Sequence, residues 1–194
     1  MRRRLRTFAA ALASAVLAAC AHAQPHFTGT ALAPKPAYDF TLTDQHGTPF
    51  TLSSQHGKAV ILFFGYTHCP DVCPATMAAL RRADEDLAPA QRSRVQVVFV
   101  TVDPERDGPR ALARFIEPFD PSFEALTGSE AQLGPIERAY HVFHQRIPGT
   151  RGTGYLIAHT GAVYLIGPGG DLRVMHGWQD PPRAIAADVA ALLS

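Results

Sequence analysis

The chain has 194 residues, with 18 Lys and Arg against 17 Asp and Glu for a formal net charge of +1, and only three cysteines. That near-balance leaves no electrostatic footprint for nucleic acid or for an acidic surface, and the cysteines are too few for a disulfide scaffold. Beyond its N-terminal segment the chain is of a size, roughly 170 residues, at which one hydrophobic core supports one domain.

Residues 1–23 read as an export signal: Met1-Arg2-Arg3-Arg4-Leu5-Arg6 is cationic, and Phe8 to Ala19 is an alanine-rich apolar segment too short to span a bilayer comfortably. Two processing routes compete. Ala21-His22-Ala23 fits a small-residue cleavage site ahead of Gln24, whereas Leu17-Ala18-Ala19-Cys20 resembles a bacterial lipobox that leaves Cys20 lipid-modified. Either route removes Cys20 as a thiol, so Cys69 and Cys73 remain as a pair. Residues 24–36 carry Pro, Ala, Gly and Thr without a hydrophobic period and are predicted to form a flexible tether, placing the folded domain at 37–194. There is no internal repeat.

The domain begins with Asp39-Phe40-Thr41-Leu42, a turn at Asp44-Gln45-His46-Gly47, and Pro49-Phe50-Thr51-Leu52, an N-terminal hairpin. Val60 to Phe64 is an uninterrupted apolar run, the pattern of a strand covered on both faces as in a parallel sheet. After the cysteine loop, Met77, Leu80 and Leu87 recur at helical spacing behind Pro74. Val95 to Val100 predicts a second buried strand, and Leu112, Phe115 and Ile116 mark one face of a helix within 109–119. Ser129 with Gln132 forms a capping-box pattern for a further helix bearing Leu133, Ile136 and Tyr140, followed by a Gly/Pro-rich loop over 148–154. Ala162 to Ile166 and Leu172 to Met175 flank Pro168-Gly169-Gly170-Asp171 as a second hairpin, and Ile185, Val189 and Leu192 mark a closing helix after Pro182.

Cys69 and Cys73 stand at i and i+4 directly after the first apolar strand. On a helical turn such side chains project from one face, near enough to close a disulfide or to grip one metal ion. The positive end of the following helix favours the thiolate that either chemistry needs. A purely structural disulfide gains little from closing so short a loop. Redox chemistry, metal binding, or both remain open at this level.

The β-α-β-α series followed by β-β-α resembles an α/β thioredoxin-like fold with an added N-terminal β-hairpin and a helical/strand insertion. Read together, Phe40-x-Leu42-x-Asp44-x-x-Gly47, Gly57-Lys58, Phe64-Gly65-Tyr66-Thr67-x-Cys69-Pro70-Asp71-Val72-Cys73-Pro74, Val102-Asp103-Pro104-Glu105-Arg106-Asp107, Leu126-Thr127-Gly128 and His159 resemble the Sco/SenC family. The resemblance implies an exported copper-binding protein that assists assembly of the CuA centre of cytochrome c oxidase, a metallochaperone more than an enzyme. It implies one copper held by Cys69, Cys73 and His159, as Cu(I) or Cu(II), a ligand set whose soft thiolates and single imidazole suit both states. It also implies the CuA-bearing oxidase subunit and a periplasmic copper donor as partners, a periplasmic location, and membrane contact only through an N-terminal lipid anchor. The alternatives are a thiol-disulfide reductase in which Cys69 and Cys73 act on the CuA cysteines, and a copper or redox sensor. His159-Thr160-Gly161 stands where thioredoxins carry a cis-proline, which places copper delivery ahead of dedicated redox catalysis.

The chain departs from the family at Ala158, where many members have Asp beside the histidine; loss of such a partner is expected to weaken or retune the site. Gly167-Pro168-Gly169-Gly170 also alters the family's turn, without bearing on copper. His68 reads as a solvated loop residue before an auxiliary ligand, Asp71, Asp103 and Asp107 as helix-start stabilisers as much as functional acids, and His141, His144 and His176 as surface or edge residues. His22 and His26 are too dispersed for a defined site. Met77, Met175 and Trp178 read as packing.

Overall fold

The structure is a computed structural model that describes residues 26–149 and 154–194. The expected export signal with its competing cleavage sites, Cys20, His22, the first two positions of the expected tether and residues 150–153 of the Gly/Pro-rich loop lie outside the described residues.

Six strands form the central sheet in the order β1-β10-β9-β4-β5-β6. Its centre is β4 (Ala59–Gly65), every residue of which is buried, in parallel register with β5 (Val95–Thr101) from Ala59↔Val95 to Gly65↔Thr101. These are the continuous apolar runs expected of strands covered on both faces. β6 (Glu124–Leu126) extends the parallel side, while β9 (Ala162–Ile166) and β10 (Asp171–Gly177) form the antiparallel hairpin on the other. Gly170, with φ +82°, makes the turn between them, a conformation that costs glycine little.

Side chains of β4 alternate between two helical layers. Phe63 meets Phe99, which stacks on Phe115 of α3 (Pro109–Ile116), on the face that also carries α1 (Val72–Glu85) and α5 (Pro182–Leu192). Phe64 points the other way, 5.6 Å from the ring of Tyr140 at the end of α4 (Glu130–Ala139) and 6.1 Å from Tyr164. The Ser129–Gln132 capping pattern is realised at the start of α4. A short helix α2 (Pro89–Arg92) leads into β5. The N-terminal hairpin is β2 (Thr41–Thr43) and β3 (Pro49–Thr51), its turn pinned by Asp44, whose carboxylate accepts the His46 and Thr48 amides at 2.8 Å each. The arrangement is the thioredoxin-like α/β fold that the pattern predicts.

One feature differs from the sequence reading, and a second gives the expected helical/strand insertion its detail. Residues 30–36, expected within the tether, form β1 (Thr30–Pro36), antiparallel to β10 with a register shift between Ala31 and Lys35. An edge strand needs only one ladder and tolerates prolines at the bulge and end, so it carries no apolar run to announce it. The anchor is Asp188 of α5, whose carboxylate accepts the Thr28 and Gly29 amides at 2.8 and 2.9 Å. Secondly, the insertion holds a separate antiparallel pair, β7 (His144–Pro148) and β8 (Tyr155–His159), in register from His144↔His159 to Pro148↔Tyr155. His159 therefore ends a strand of that insertion, and Thr160-Gly161 joins it to β9.

Candidate metal centre

β4 ends at Gly65, and the chain turns through Tyr66 to Asp71 before α1 begins at Val72. A Cβ on Gly65 would lie 2.8 Å from both Cys73 Sγ and the Phe99 ring, so the absence of a side chain there lets the sulfur settle against the strand end. Cys73 is fully buried in the first turn of α1, whereas Cys69 stands in the preceding loop and remains partly open. Asp71 makes no side-chain cap. The cap is sulfur: the Cys73 amide donates to Cys69 Sγ at 3.3 Å.

β8 brings the third group. His159 Nε2 is 3.3 Å from Cys73 Sγ, and its Nδ1 is 3.1 Å from the Thr160 carbonyl. A carbonyl only accepts, so Nδ1 carries the ring proton and Nε2 presents its lone pair to the cysteines. The ring is held edge-on by Tyr66 at 5.7 Å and Phe63 at 6.2 Å. The ligand atoms of Cys69, Cys73 and His159 all lie within 4.8 Å of one another. Metal–sulfur and metal–nitrogen bonds of about 2.3 and 2.0 Å at trigonal angles put the donors about 3.7 to 4.0 Å apart, so shifts of up to about an ångström would let the triangle close on one ion. Soft sulfur with one imidazole is a donor set suited to copper.

The two cysteines are free thiols that share a proton unequally. Its hydrogen bond with Cys73, aided by the Cys73 and Asp71 amides, pulls the Cys69 thiol down to about 3 against the opposing effect of burial. The same hydrogen bond to Cys69, together with burial and the nearby charge of Asp107, pushes the Cys73 thiol far up. Cys69 is thus the resting thiolate and Cys73 the protonated partner. Beside Cys69 an open groove of about 330 Å³ is walled by Ile147, Leu156, Trp178 and Pro70.

The other residues singled out in the sequence fall into place around this triangle. His68 is half exposed and bonds to the Thr67 hydroxyl at 3.0 Å, outside the donor group. His26 is exposed and is not in the donor group, and Met77 is buried in the core. His176 corrects its reading as a surface or edge residue: it is buried, with Nδ1 2.8 Å from Asp180 and Nε2 2.9 Å from Asp188. Alternation on a hairpin strand could not reveal carboxylates supplied from α5 and the turn before it. His144 is half-buried beside Glu137 at 3.2 Å, and His141 is exposed in a left-handed conformation with φ 54°. Trp178 does pack, but against Gly161 next to the histidine, 3.0 Å from where a Cβ would be.

Asp103 and Asp107, both buried, cap no helix by a side-chain bond. Asp107 accepts the Thr67 amide at 2.9 Å, the Thr67 hydroxyl at 2.5 Å and the Thr101 hydroxyl at 2.7 Å. Asp103 pairs with Arg106 and accepts the Tyr155 hydroxyl at 2.7 Å. Tyr66, Arg106 and Tyr155 are the residues that motif reading missed as contributors to the site. The signals were the unassigned Val102–Asp107 block for Arg106 and the cysteine motif itself for Tyr66, while nothing in the sequence pointed to Tyr155.

A family profile described as SCO1/SenC matches residues 29–194. The protein named "Protein SCO2 homolog, mitochondrial" of Mus musculus is 39% identical over 133 residues, which is 68% of this chain and 52% of that protein. The chain spans about half the length of the curated relatives that it matches first. Among solved structures, the apo Sco1 protein of Thermus thermophilus is 41% identical with a TM-score of 0.72, covering 86% of this chain and 94% of that one. ScoI of Bradyrhizobium japonicum, solved with copper bound, is 34% identical with a TM-score of 0.69, covering 80% of this chain and 98% of that one.

Proposed function

The chain belongs to the SCO1/SenC family, and from that premise we propose that it is an exported copper metallochaperone assisting assembly of the CuA centre of cytochrome c oxidase. One observation carries the reading: two sulfurs and an imidazole nitrogen, from Cys69, Cys73 and His159, lie within 4.8 Å of one another at the mouth of an open groove. The copper-bound relative supports copper as the cargo. Cys69 and Cys73 supply thiolates, the Cys73 proton leaving to solvent on loading, and His159 supplies Nε2. Delivery is ligand exchange: incoming thiolates of the acceptor displace this set one donor at a time, and the partly open Cys69 is the corner an acceptor reaches first.

Stoichiometric titration tests the reading. The exported chain is expected to take up one copper per molecule, and replacing both cysteines by Ser is expected to abolish uptake. Undiminished uptake by that double variant sinks the assignment.

The depressed Cys69 thiol with a protonated partner beside it favours a second reading, thiol-disulfide exchange on the acceptor. Cys69 thiolate would attack an acceptor disulfide and expel one acceptor thiolate. Cys73, giving up its proton, would then displace the second, leaving a Cys69–Cys73 disulfide and a reduced acceptor, two electrons having passed. Oxidase CuA content in cells separates the readings. Disulfide exchange needs no imidazole ligand, so full CuA content with His159→Ala and none with Cys69→Ser would favour the reductase.

Periplasmic location and a lipid anchor at Cys20 belong to the same proposal, and rest on the cationic and apolar N-terminal sequence. The mass of the mature N-terminus tests them: a lipid-modified Cys20 supports the anchor, a free Gln24 refutes it.

A further inference from the structure

The two halves of the donor triangle come from different parts of the fold, the cysteines from the β4–α1 loop and His159 from the inserted β7–β8 pair. The loop between β5 and α3 touches both. On the cysteine side, Asp107 takes the Thr67 amide and hydroxyl, and the Val102 amide donates to the Gly65 carbonyl at 2.8 Å. On the histidine side, Arg106 lies flat on the Tyr155 ring, its Cζ 3.6 Å from the centroid, and donates from Nη1 to the Tyr155 carbonyl at 3.0 Å. Arg106 Nε pairs with Asp103, whose other oxygen receives the Tyr155 hydroxyl at 2.7 Å. Arg146 covers the ring at 4.7 Å and pairs with Glu105 at 2.9 Å. Between the halves, the Tyr66 hydroxyl accepts the Ile157 amide at 3.1 Å, two residues before His159.

We propose that Asp103, Arg106 and Tyr155 are positioning residues for the metal centre, a clasp that fixes the histidine-bearing strand against the cysteine loop. The physical case is the cost of the arrangement. Asp103 is buried, and Arg106 has a buried Nη2 without a hydrogen-bond partner among the described residues, so the pair is held where charge is expensive. The Tyr155 π face and hydroxyl offset that cost only while β8 stays in place. Strand and loop are therefore locked to each other through Tyr155, four residues from His159. Cys73 needs no such lock because it is on α1, and Cys69 is tied to it by the bond from the Cys73 amide to its sulfur.

The inference rests on the copper reading above, and its consequence is a split between copper states. Two thiolates hold Cu(I) without a third donor, whereas Cu(II) depends on the imidazole. Tyr155→Phe removes only the hydroxyl, and Arg106→Lys keeps the charge but loses the planar fork. Each variant, in the full chain, is titrated with Cu(I) and with Cu(II) beside the wild type, and amide exchange is followed in the metal-free protein. Cu(II) affinity is expected to fall roughly tenfold, the scale of losing an outer-shell partner, with Cu(I) affinity held. Exchange at Ile157 is expected to quicken while Leu62 and Val98 in the central strands stay protected. Unchanged Cu(II) affinity, or an equal loss for both states, overturns the clasp. Should the wild type bind no copper, the function reading fails separately and Ile157 exchange alone decides: faster in the variants upholds the clasp, unaltered refutes it.

Discussion

Cys73 Sγ and His159 Nε2 lie 3.3 Å apart although their residues are separated by 86 positions in the chain. One sits on the first turn of a core helix and the other at the end of a strand inserted between α4 and β9. The imidazole tautomer is set by a main-chain carbonyl, so the nitrogen facing the sulfurs keeps its lone pair. This makes the third donor available without preparation.

His159→Ala follows from that geometry. The variant is expected to keep Cu(I), held by two thiolates, and to lose Cu(II) affinity by more than the roughly 10- to 100-fold that an outer-shell change costs. Parallel titrations with the two ions, with the sulfur-to-Cu(II) charge-transfer band as the spectroscopic check, measure it. Wild-type Cu(II) binding by this variant would remove His159 from the site.

Cys69 is pulled down to about 3 in the metal-free protein, which fixes the direction of a pH experiment. An ordinary thiol gains nucleophile tenfold for each pH unit below its pKa of about 8.5. Cys69, already thiolate, is expected to react with iodoacetamide at a rate nearly flat from pH 5 to pH 8 and to slow only as pH falls toward 3. Its absolute rate is moderated, because a less basic thiolate is a weaker nucleophile. Cys73, pushed up and buried, is expected to stay unmodified throughout that range. Mass mapping of the alkylated peptide distinguishes the two, and a tenfold rise per unit at Cys69 would show an unperturbed thiol.

Gly65→Ala probes the seat of the buried sulfur. The new Cβ would stand 2.8 Å from Cys73 Sγ and from the Phe99 ring, and neither neighbour is free to retreat, both being fully buried. Overpacking of this kind costs about 1–3 kcal/mol. A lowered urea midpoint together with weaker binding of both copper states is expected, unlike the selective effect at His159.

Much of this was legible in the chain, and the illegible parts lack a local pattern. β4 and β5 announce themselves because burial on both faces demands continuous apolar residues, and α1, α3 and α5 because one face must meet the sheet. Cys69 and Cys73 stand out by spacing alone. His159 needed the family resemblance, since a single histidine at a strand end carries no signal of its own partners. β1 and β6 are short or marginal strands whose ladders are satisfied by neighbours far away in sequence, and β7 and β8, though they pair locally, are mostly exposed or half-buried and carry no apolar alternation, so local pattern does not encode them. Asp103, Arg106 and Tyr155 are hidden as β1 and β6 are, their contacts spanning 49 to 52 positions between loop and strand.

Asp188 anchors the N-terminal strand, and its removal is expected to act there first. The carboxylate is buried and accepts the Thr28 amide, the Gly29 amide and, at 2.9 Å, the ring of His176. Asp188→Ala leaves those groups without their acceptor, a loss of about 3 kcal/mol at the usual cost of buried unsatisfied donors. Urea unfolding measures the total. Faster amide exchange across Thr30–Pro36 than in β4 would place the damage at the strand end, whereas uniform exchange would mean that Asp188 supports the core and not the anchor.

Ala158→Asp introduces the acid that the family resemblance leads one to expect beside the histidine, and the structure predicts little effect on copper. Along β8 the side chains alternate, Ile157 buried, Ala158 exposed and His159 partly buried, so a carboxylate at 158 projects to the face away from the imidazole. The Nδ1 proton it would have to capture is already given to the Thr160 carbonyl, and Thr160 is itself pinned, its amide donating to the Phe143 carbonyl at 2.9 Å. An exposed charge is worth roughly 1 kcal/mol at most, so Cu(II) affinity is expected to move by less than about fivefold. A gain well beyond that, with a shifted charge-transfer band, would mean that the acid displaces the carbonyl as the imidazole's partner and that this chain's site is weakened by its alanine.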